Sequence, residues 1–223
     1  MKIILITGKA QAGKSSLATY LQTHLRGDSQ TGSAYTFNLA DSLKEACQRF
    51  FGIPSKLMYG TNEDKNQLTH IKYKNLPVVF HNESEIDPER QVSVRALLQY
   101  FGTEVMRRID NDVWCRATIA DINAECFERE SEANIPLSHA IIADVRFPNE
   151  IQYFIKEYGE DNVIIVRLTR NITNMSHISE TSLDNYDFHQ HRNYIEIDNT
   201  NMSEENKNQI ALLKVQNISR KAT

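Results

Sequence analysis

A chain of 223 residues, 40% hydrophobic and 24% charged, has the size and composition of one globular domain with a sizeable core and room for an inserted subdomain. Its net charge of −4 argues against direct nucleic-acid binding, because proteins that track a phosphate backbone carry a basic surplus. No apolar run approaches a membrane span, the N-terminus opens directly in a strand with no signal-peptide pattern, and Cys47, Cys115 and Cys126 lack metal-type spacing, so reduced thiols in a cytoplasm are expected.

The first element, Ile3 to Ile6, is a run of aliphatic residues of the kind found in strands buried on both faces. Gly8-Lys9-Ala10-Gln11-Ala12-Gly13-Lys14-Ser15 follows and matches the phosphate-loop spacing, G-x-x-x-x-G-K-[ST]. Leu17, Leu21 and Leu25 then recur at helical spacing. Such a loop wraps phosphate oxygens in backbone N–H groups and points the positive end of the next helix at them. Gly8, Ala10, Gln11, Ala12, Gly13, Lys14, Ser15 and Ser16 are therefore the expected nucleotide cradle. Lys14 reaches the β- and γ-phosphates, and the Ser15 hydroxyl is placed for Mg²⁺.

Gly27 to Ser33 reads as a loop, and Ala34 to Leu39 as a second strand running into a helix that Asp41 or Ser42 caps and that ends near Gly52. Asp41 and Lys44 are open to a substrate role or to bland ones, a cap and a solvated lysine. Residues 53–92 are polar, punctuated by Pro54, Pro77 and Pro88, with only Leu76 to Phe80 strand-like. A stretch that long inside a compact domain suggests a substrate-side insertion. Val92 to Arg108 reads as one strong helix, with Arg95 and Gln99 one turn apart on a shared face, and a second helix runs from about Asp112 to Glu130.

His139 to Val145 is the third core strand, with Asp144 at its end and Arg146 just beyond, and a helix follows from Pro148 to Tyr158. Asn162 to Leu168 is the fourth strand. Thr169 to Gln190 is polar and suits a mobile loop, Tyr194 to Ile197 is a short fifth strand, and Ser203 to about Ile218 is a last amphipathic helix. This alternation specifies an α/β fold: a five-stranded parallel sheet with helices on both faces. In such sheets ligands bind beyond the carboxyl ends of the strands, where the phosphate loop, Asp41, Asp144, Arg146, Arg167 and Arg170 all fall. Phosphoryl transfer is mostly positioning and neutralisation of moving charge, so a kinase for a phosphorylated acceptor needs cations beyond Lys14 and a carboxylate for Mg²⁺. Arg95, Arg107, Arg146, Arg167 and Arg170 can supply the former and Asp144 the latter.

The run Arg95-Ala96-Leu97-Leu98-Gln99-Tyr100-Phe101-Gly102-Thr103-Glu104-Val105-Met106-Arg107, followed by Asp110, Asp112 and Trp114, resembles the central signature of the phage-type deoxynucleoside monophosphate kinases. So do Asp144-Val145-Arg146-Phe147-Pro148-Asn149-Glu150, His177-Ile178-Ser179-Glu180 and Ala40-Asp41-Ser42-Leu43-Lys44, in the family's order. The resemblance implies a P-loop NTPase fold with a helical substrate-binding insertion, and ATP- and Mg²⁺-dependent conversion of a dNMP to a dNDP. By that similarity Asp41, Lys44, Arg95 and Gln99 lie on the monophosphate side with Trp114 near the base. Asp144 and Arg146 lie between the two nucleotides, Arg146 and Glu150 are among the substrate-binding residues, and Arg170 approaches the ATP phosphates. Lys14, Asp144, Arg146 and Arg170 would be catalytic, with Ser15 and Asp144 holding the metal. One kinase domain over 1–223 is expected, with 53–130 as the substrate-side insertion and 169–190 as a lid-like loop. The partners are small molecules, in the host cytoplasm if the protein is viral, and a homodimer is left open. Two departures stand out. The family's loop arginine is replaced by the stretch Lys9-Ala10-Gln11-Ala12, and its Asn-Asp-Gly turn after the last strand reads Asp198-Asn199-Thr200-Asn201. The alternative functions are a P-loop kinase for a ribonucleotide or another phosphorylated metabolite, and a nucleotide-dependent switch or DNA-handling ATPase.

Overall fold

The computed structural model describes residues 1–25, 32–76, 87–132, 135–170 and 178–221. Numbered along the chain, it opens with β1 (Lys2–Thr7), α1 (Lys14–His24) and β2 (Ser33–Phe37). Next come α2 (Leu39–Phe51), α3 (Ser55–Tyr59), α4 (Asn62–Asn66), β3 (Leu68–Lys72), β4 (Gln91–Ser93), α5 (Val94–Gln99) and α6 (Arg107–Ile109). The chain continues with α7 (Val113–Glu132), β5 (Leu137–Val145), α8 (Pro148–Tyr158) and β6 (Val163–Thr169), and closes with α9 (Ile178–Thr181), β7 (Tyr194–Asp198) and α10 (Glu204–Lys221).

Two compact units result: Met1–Leu39 with Cys115–Thr223, and Ala40–Trp114. The first holds a parallel sheet in the order β2-β5-β1-β6-β7, with Ile4 opposite Ile141 on one side and Ile164 on the other. Residues alternate faces along a strand. Ile4 and Ile6 therefore pack with Leu17 and Leu21 of α1 and Ala211 and Val215 of α10. Ile3 and Leu5, equally buried, point to the other face, and α8 packs on β1 and β6. This is the α/β, five-stranded parallel, P-loop-like arrangement expected of alternating aliphatic strands and helices. Among the described residues no helix is long and apolar enough to cross a membrane.

The second unit has its own core of Cys47, Ile53, Met58, Val92, Val94, Leu97 and Tyr100. The region from 53 resolves into α3, α4 and an antiparallel pair, with Leu68 of β3 opposite Ser93 of β4. Leu76 caps a 3-10 turn, and 77–80 of the expected strand lie outside the described residues. Two expectations need correction. The helix from Val92 to Arg108 is not continuous: Ser93 caps α5, and Tyr100–Met106 widens into a π-helical segment. Gly102 allows this, because it brings its backbone against Leu43, where an added Cβ would lie 2.7 Å from the Leu43 side chain. Nor does Asp41 or Ser42 cap α2. The helix starts two residues earlier, at Leu39, whose N–H donates to Asp144 Oδ1 at 2.7 Å.

Candidate active site

The phosphate loop is shaped by backbone that tolerates few side chains. Gly8 has φ +145°, and a Cβ there would lie 2.5 Å from the Leu168 carbonyl on β6. Gly13 adopts a left-handed conformation, φ 83°, immediately before α1, and Gln11 holds φ 63°, a value that strains a residue with a side chain. Strain of this kind persists only where the surroundings over-determine the backbone. Here they do: Ala12 N–H donates to Lys9 O at 3.2 Å, Asn199 Nδ2 donates to Ala12 O at 2.9 Å, and Arg170 Nη1 reaches Gln11 O at 3.5 Å.

Lys14 is folded back over this loop, its Nζ donating to Gly8 O at 2.5 Å and Lys9 O at 2.8 Å. Burial, then the Arg146 guanidinium, bring its pKa down to about 8 against the opposing pull of Glu180 and Asp144. A second lysine supports the loop from behind. Lys207 of α10, only 2% exposed, donates from Nζ to Gly13 O and Ser16 Oγ, both at 2.9 Å. Burial pulls its pKa down too, and Arg170 adds to this while Glu204 opposes it. Ser15 is exposed at the head of α1, whose first turn holds no acidic residue.

At the carboxyl end of β5, Asp144 is half-buried. The buried Glu150 carboxylate accepts the N–H groups of Arg146 at 2.7 Å and Phe147 at 2.9 Å, so it fixes the backbone that carries the Arg146 side chain. The Arg146 guanidinium pairs with Glu180 and donates to Ser179 O at 3.3 Å. The other Glu180 oxygen accepts the phosphate-loop N–H of Ala10 at 2.9 Å. Burial pushes the Glu180 carboxyl up, but Arg146, Ala10 and Lys14 together outweigh it and hold the pKa low. Gly8, Lys9, Arg146, Arg170, Glu180 and Asp184 line a cleft of about 100 Å³. Arg167 is engaged otherwise, over the Phe188 ring at 4.7 Å and 3.8 Å from Glu196.

The candidates in Ala40–Trp114 form their own arrangements. Lys44 Nζ pairs with Asp41 at 2.9 Å and lies 4.6 Å from the centre of the Tyr59 ring. Arg95 is aimed by α4: its Nε donates to Asn66 Oδ1 at 3.1 Å and its Nη2 to Asn62 Oδ1 at 2.9 Å. Gln99 is the last residue of α5, where the π segment begins. Trp114 is 8% exposed and its indole N–H donates to Gly102 O at 3.2 Å, so its polar atom is engaged inside its own unit. Arg107 donates to Asn111 at 3.0 Å.

Hence Lys14, Arg146 and Arg170 gather at the phosphate loop, and Asp144 stands at the end of the neighbouring strand. Sequence reasoning missed Lys207, because a lysine on an amphipathic helix reads as solvated, and it gave no role to Glu180 within its motif. Tyr59 carried no signal at all.

The chain was compared with known proteins. A protein family described as "Deoxynucleotide monophosphate kinase" matches residues 47–210, well over half of the chain. A protein of Acanthamoeba polyphaga mimivirus named "Putative deoxynucleotide monophosphate kinase" is 27% identical over 191 residues, covering 84% of this chain and 86% of its own length. The family match takes in the π segment, the β5 motif and Glu180, and on that basis the chain is a kinase and belongs to the deoxynucleotide monophosphate kinase family.

Proposed function

We propose that the protein transfers the γ-phosphoryl group of ATP to a deoxynucleoside monophosphate, giving a dNDP and ADP. The observation that carries this reading is the phosphate loop itself: a strained turn between β1 and α1, with Lys14 and Arg146 beside it, in a chain of this family. The attacking group is a phosphate oxygen that is already anionic, so the chemistry asks for alignment and charge neutralisation rather than a strong base. Backbone N–H groups from Ala10 to Ser16 bind the ATP phosphates. Lys14 turns from the Gly8 and Lys9 carbonyls to the β- and γ-phosphates, and Arg170 adds a second cation. Arg146, oriented through Glu150, neutralises the phosphoryl group in flight. Ser15 and Asp144 offer hard oxygen donors of the type Mg²⁺ takes together with water and phosphate oxygens. Bound there, the ion would neutralise phosphate charge.

On the acceptor side, Asp41, Lys44, Arg95 and Gln99 bind the monophosphate, its sugar or its base, and Trp114 acts by shaping the π segment above Gly102. The segment 53–130 serves as the substrate side. The mimivirus relative supports a viral setting, with small-molecule substrates in the host cytoplasm.

The test is coupled-assay turnover with ATP and each of the four dNMPs, beside their ribose counterparts and ATP alone with and without DNA. Turnover with one or more dNMPs is expected. Turnover only with ribonucleotides supports the kinase alternative, and hydrolysis that responds to DNA without any acceptor overturns the proposal.

A further inference from the structure

One contact at the phosphate loop works against nucleotide binding. Backbone N–H groups in such a loop form an anion cradle. In this protein the Ala10 N–H is taken by an acid from its own chain, Glu180, 170 residues away. The second oxygen of that carboxylate pairs with Arg146, and Lys14 is near enough to help hold the acid ionised. An N–H donor, a guanidinium and an ammonium around an anion make the kind of surrounding that a phosphoryl group requires. The Glu180 side chain is only 13% exposed, so it is seated and not a passing surface contact.

The surrounding segment is fastened over the loop by more than this acid. Ser182 Oγ donates to Arg146 O at 2.5 Å, the Ser179 carbonyl accepts from Arg146, and Asp184 pairs with Lys9 at 3.3 Å. With the segment so placed, the cleft at the loop is about 100 Å³, below the ~300 Å³ at which small-molecule pockets begin.

We propose that Glu180 is an internal competitor for the phosphoryl group: its carboxylate stands on the phosphate loop and Arg146 as a phosphate would, and it sets the protein's nucleotide affinity. The proposal rests on the kinase reading for the identity of the ligand, but its geometry is that of the loop alone. A carboxylate and a phosphate cannot both accept the Ala10 N–H, and two anions that close repel. Nucleotide therefore binds only when Ile178–Asp184 lets go. The apparent affinity is the intrinsic one reduced by the fraction of molecules in which it has let go. Displacement also frees Arg146 from Glu180 at the moment a phosphate arrives to replace it.

The test uses Glu180→Gln, which keeps the size of the side chain and removes its charge, and Ser182→Ala, which loosens the same segment without touching the phosphate loop. Binding of inorganic tripolyphosphate and of a non-hydrolysable ATP analogue is measured by calorimetry on the full chain, with thermal melts to check folding. Glu180→Gln is expected to bind both probes on the order of tenfold more tightly than wild type, and Ser182→Ala a few-fold more tightly. Unchanged or weaker binding by a folded Glu180→Gln protein overturns the proposal and makes Glu180 part of the binding machinery. Failure of wild type and variant alike to bind tripolyphosphate overturns it as well, since a loop that takes no phosphate needs no competitor. Tighter binding without turnover of any dNMP would sink the kinase reading and leave the competitor standing.

Discussion

On the proposed mechanism, Lys14 serves chemistry at the expense of the fold. A lysine whose pKa falls from 10.5 to about 8 on folding is better protonated in the unfolded chain, so at neutral pH its burial destabilises the native state. The sign follows directly. Below pH 8 both states hold the proton and the penalty is complete; between pH 8 and 10.5 the unfolded chain binds more protons, so native stability recovers as the pH rises. The two hydrogen bonds to Gly8 and Lys9 return part of the penalty. Lys14→Met should therefore abolish transfer yet raise the melting temperature of the nucleotide-free protein at pH 7 by about 2–4 °C, the shift expected of ~1 kcal/mol at this chain length. The advantage should shrink toward pH 10. A variant that melts below wild type at pH 7 would show that Lys14 stabilises the loop instead. Asp144 separates the two roles differently. Because Asn keeps an acceptor for the Leu39 N–H, Asp144→Asn should melt within a few degrees of wild type while turnover falls about a hundredfold or more. A variant that melts early but is fully active in its folded fraction would make Asp144 structural.

Among the elements, the α4–α5 contact decides what Arg95 can do. An arginine at the surface of a helix is ordinarily free to swing, and ordering it loses rotamer entropy. Here Asn62 and Asn66, both on a helix one turn and a half long, hold the guanidinium by two of its nitrogens, Nε and Nη2, and on the proposed reading Nη1 meets the acceptor's oxyanion. Arg95→Ala is expected to raise the Michaelis constant for the dNMP by about tenfold or more and leave that for ATP nearly unchanged, as loss of one charge-assisted contact implies. Asn62→Ala should move the same constant in the same direction by a few-fold, because it only unlocks the side chain. A change in the ATP constant alone would mean the acceptor binds elsewhere. None of this was readable at the sequence level beyond the spacing of Arg95 and Gln99. α3 and α4 are five residues each, too short to show a period, and β3 with β4 is a pair whose partners lie some twenty residues apart. The π segment was hidden for a related reason: the apolar stripe of Leu97, Phe101 and Val105 suits an α-helix, and only the packing of Gly102 on Leu43 shows where the winding changes. The central strands β1, β5 and β6, by contrast, were plain in the sequence, since their stretches Ile3–Ile6, Ala140–Ala143 and Val163–Val166 are buried on both faces and aliphatic.

Over the whole molecule, the phosphate loop is an N-terminal motif that only the C-terminus completes. The pattern from Gly8 to Ser15 announces itself locally, but the side chains that brace two of its carbonyls, Ala12 O and Gly13 O, are those of Asn199 and Lys207, 187 and 194 residues further on. No local pattern can reveal such a pair; it depends on β7 reaching the sheet edge beside β6 and α10 folding back against α1. The ordering has a consequence for function. Lys207 is almost fully buried, its ammonium lies 2.5 Å from where a Cβ on Gly13 would stand, and it adds a charged donor to Gly13 O and Ser16 Oγ beyond the Leu17 N–H and Ser16 hydroxyl that also bond Gly13 O. Lys207→Met fills similar space without the charge, so the lysine's desolvation penalty disappears along with its two hydrogen bonds, and stability should change by only about 1 kcal/mol in either direction. The loop itself should loosen. We expect a five- to tenfold rise in the Michaelis constant for ATP, on the order of the ~1 kcal/mol lost from one supporting hydrogen bond, with the dNMP constant unaltered. Lys207→Arg, which keeps the charge but not the fit beside Gly13, should show the same ATP defect and a lower melting temperature. Steady-state kinetics on both variants decides it: an ATP constant equal to wild type in Lys207→Met would mean that β1, α1 and Gly13 hold the loop unaided, and that the long reach from the C-terminal helix serves only packing.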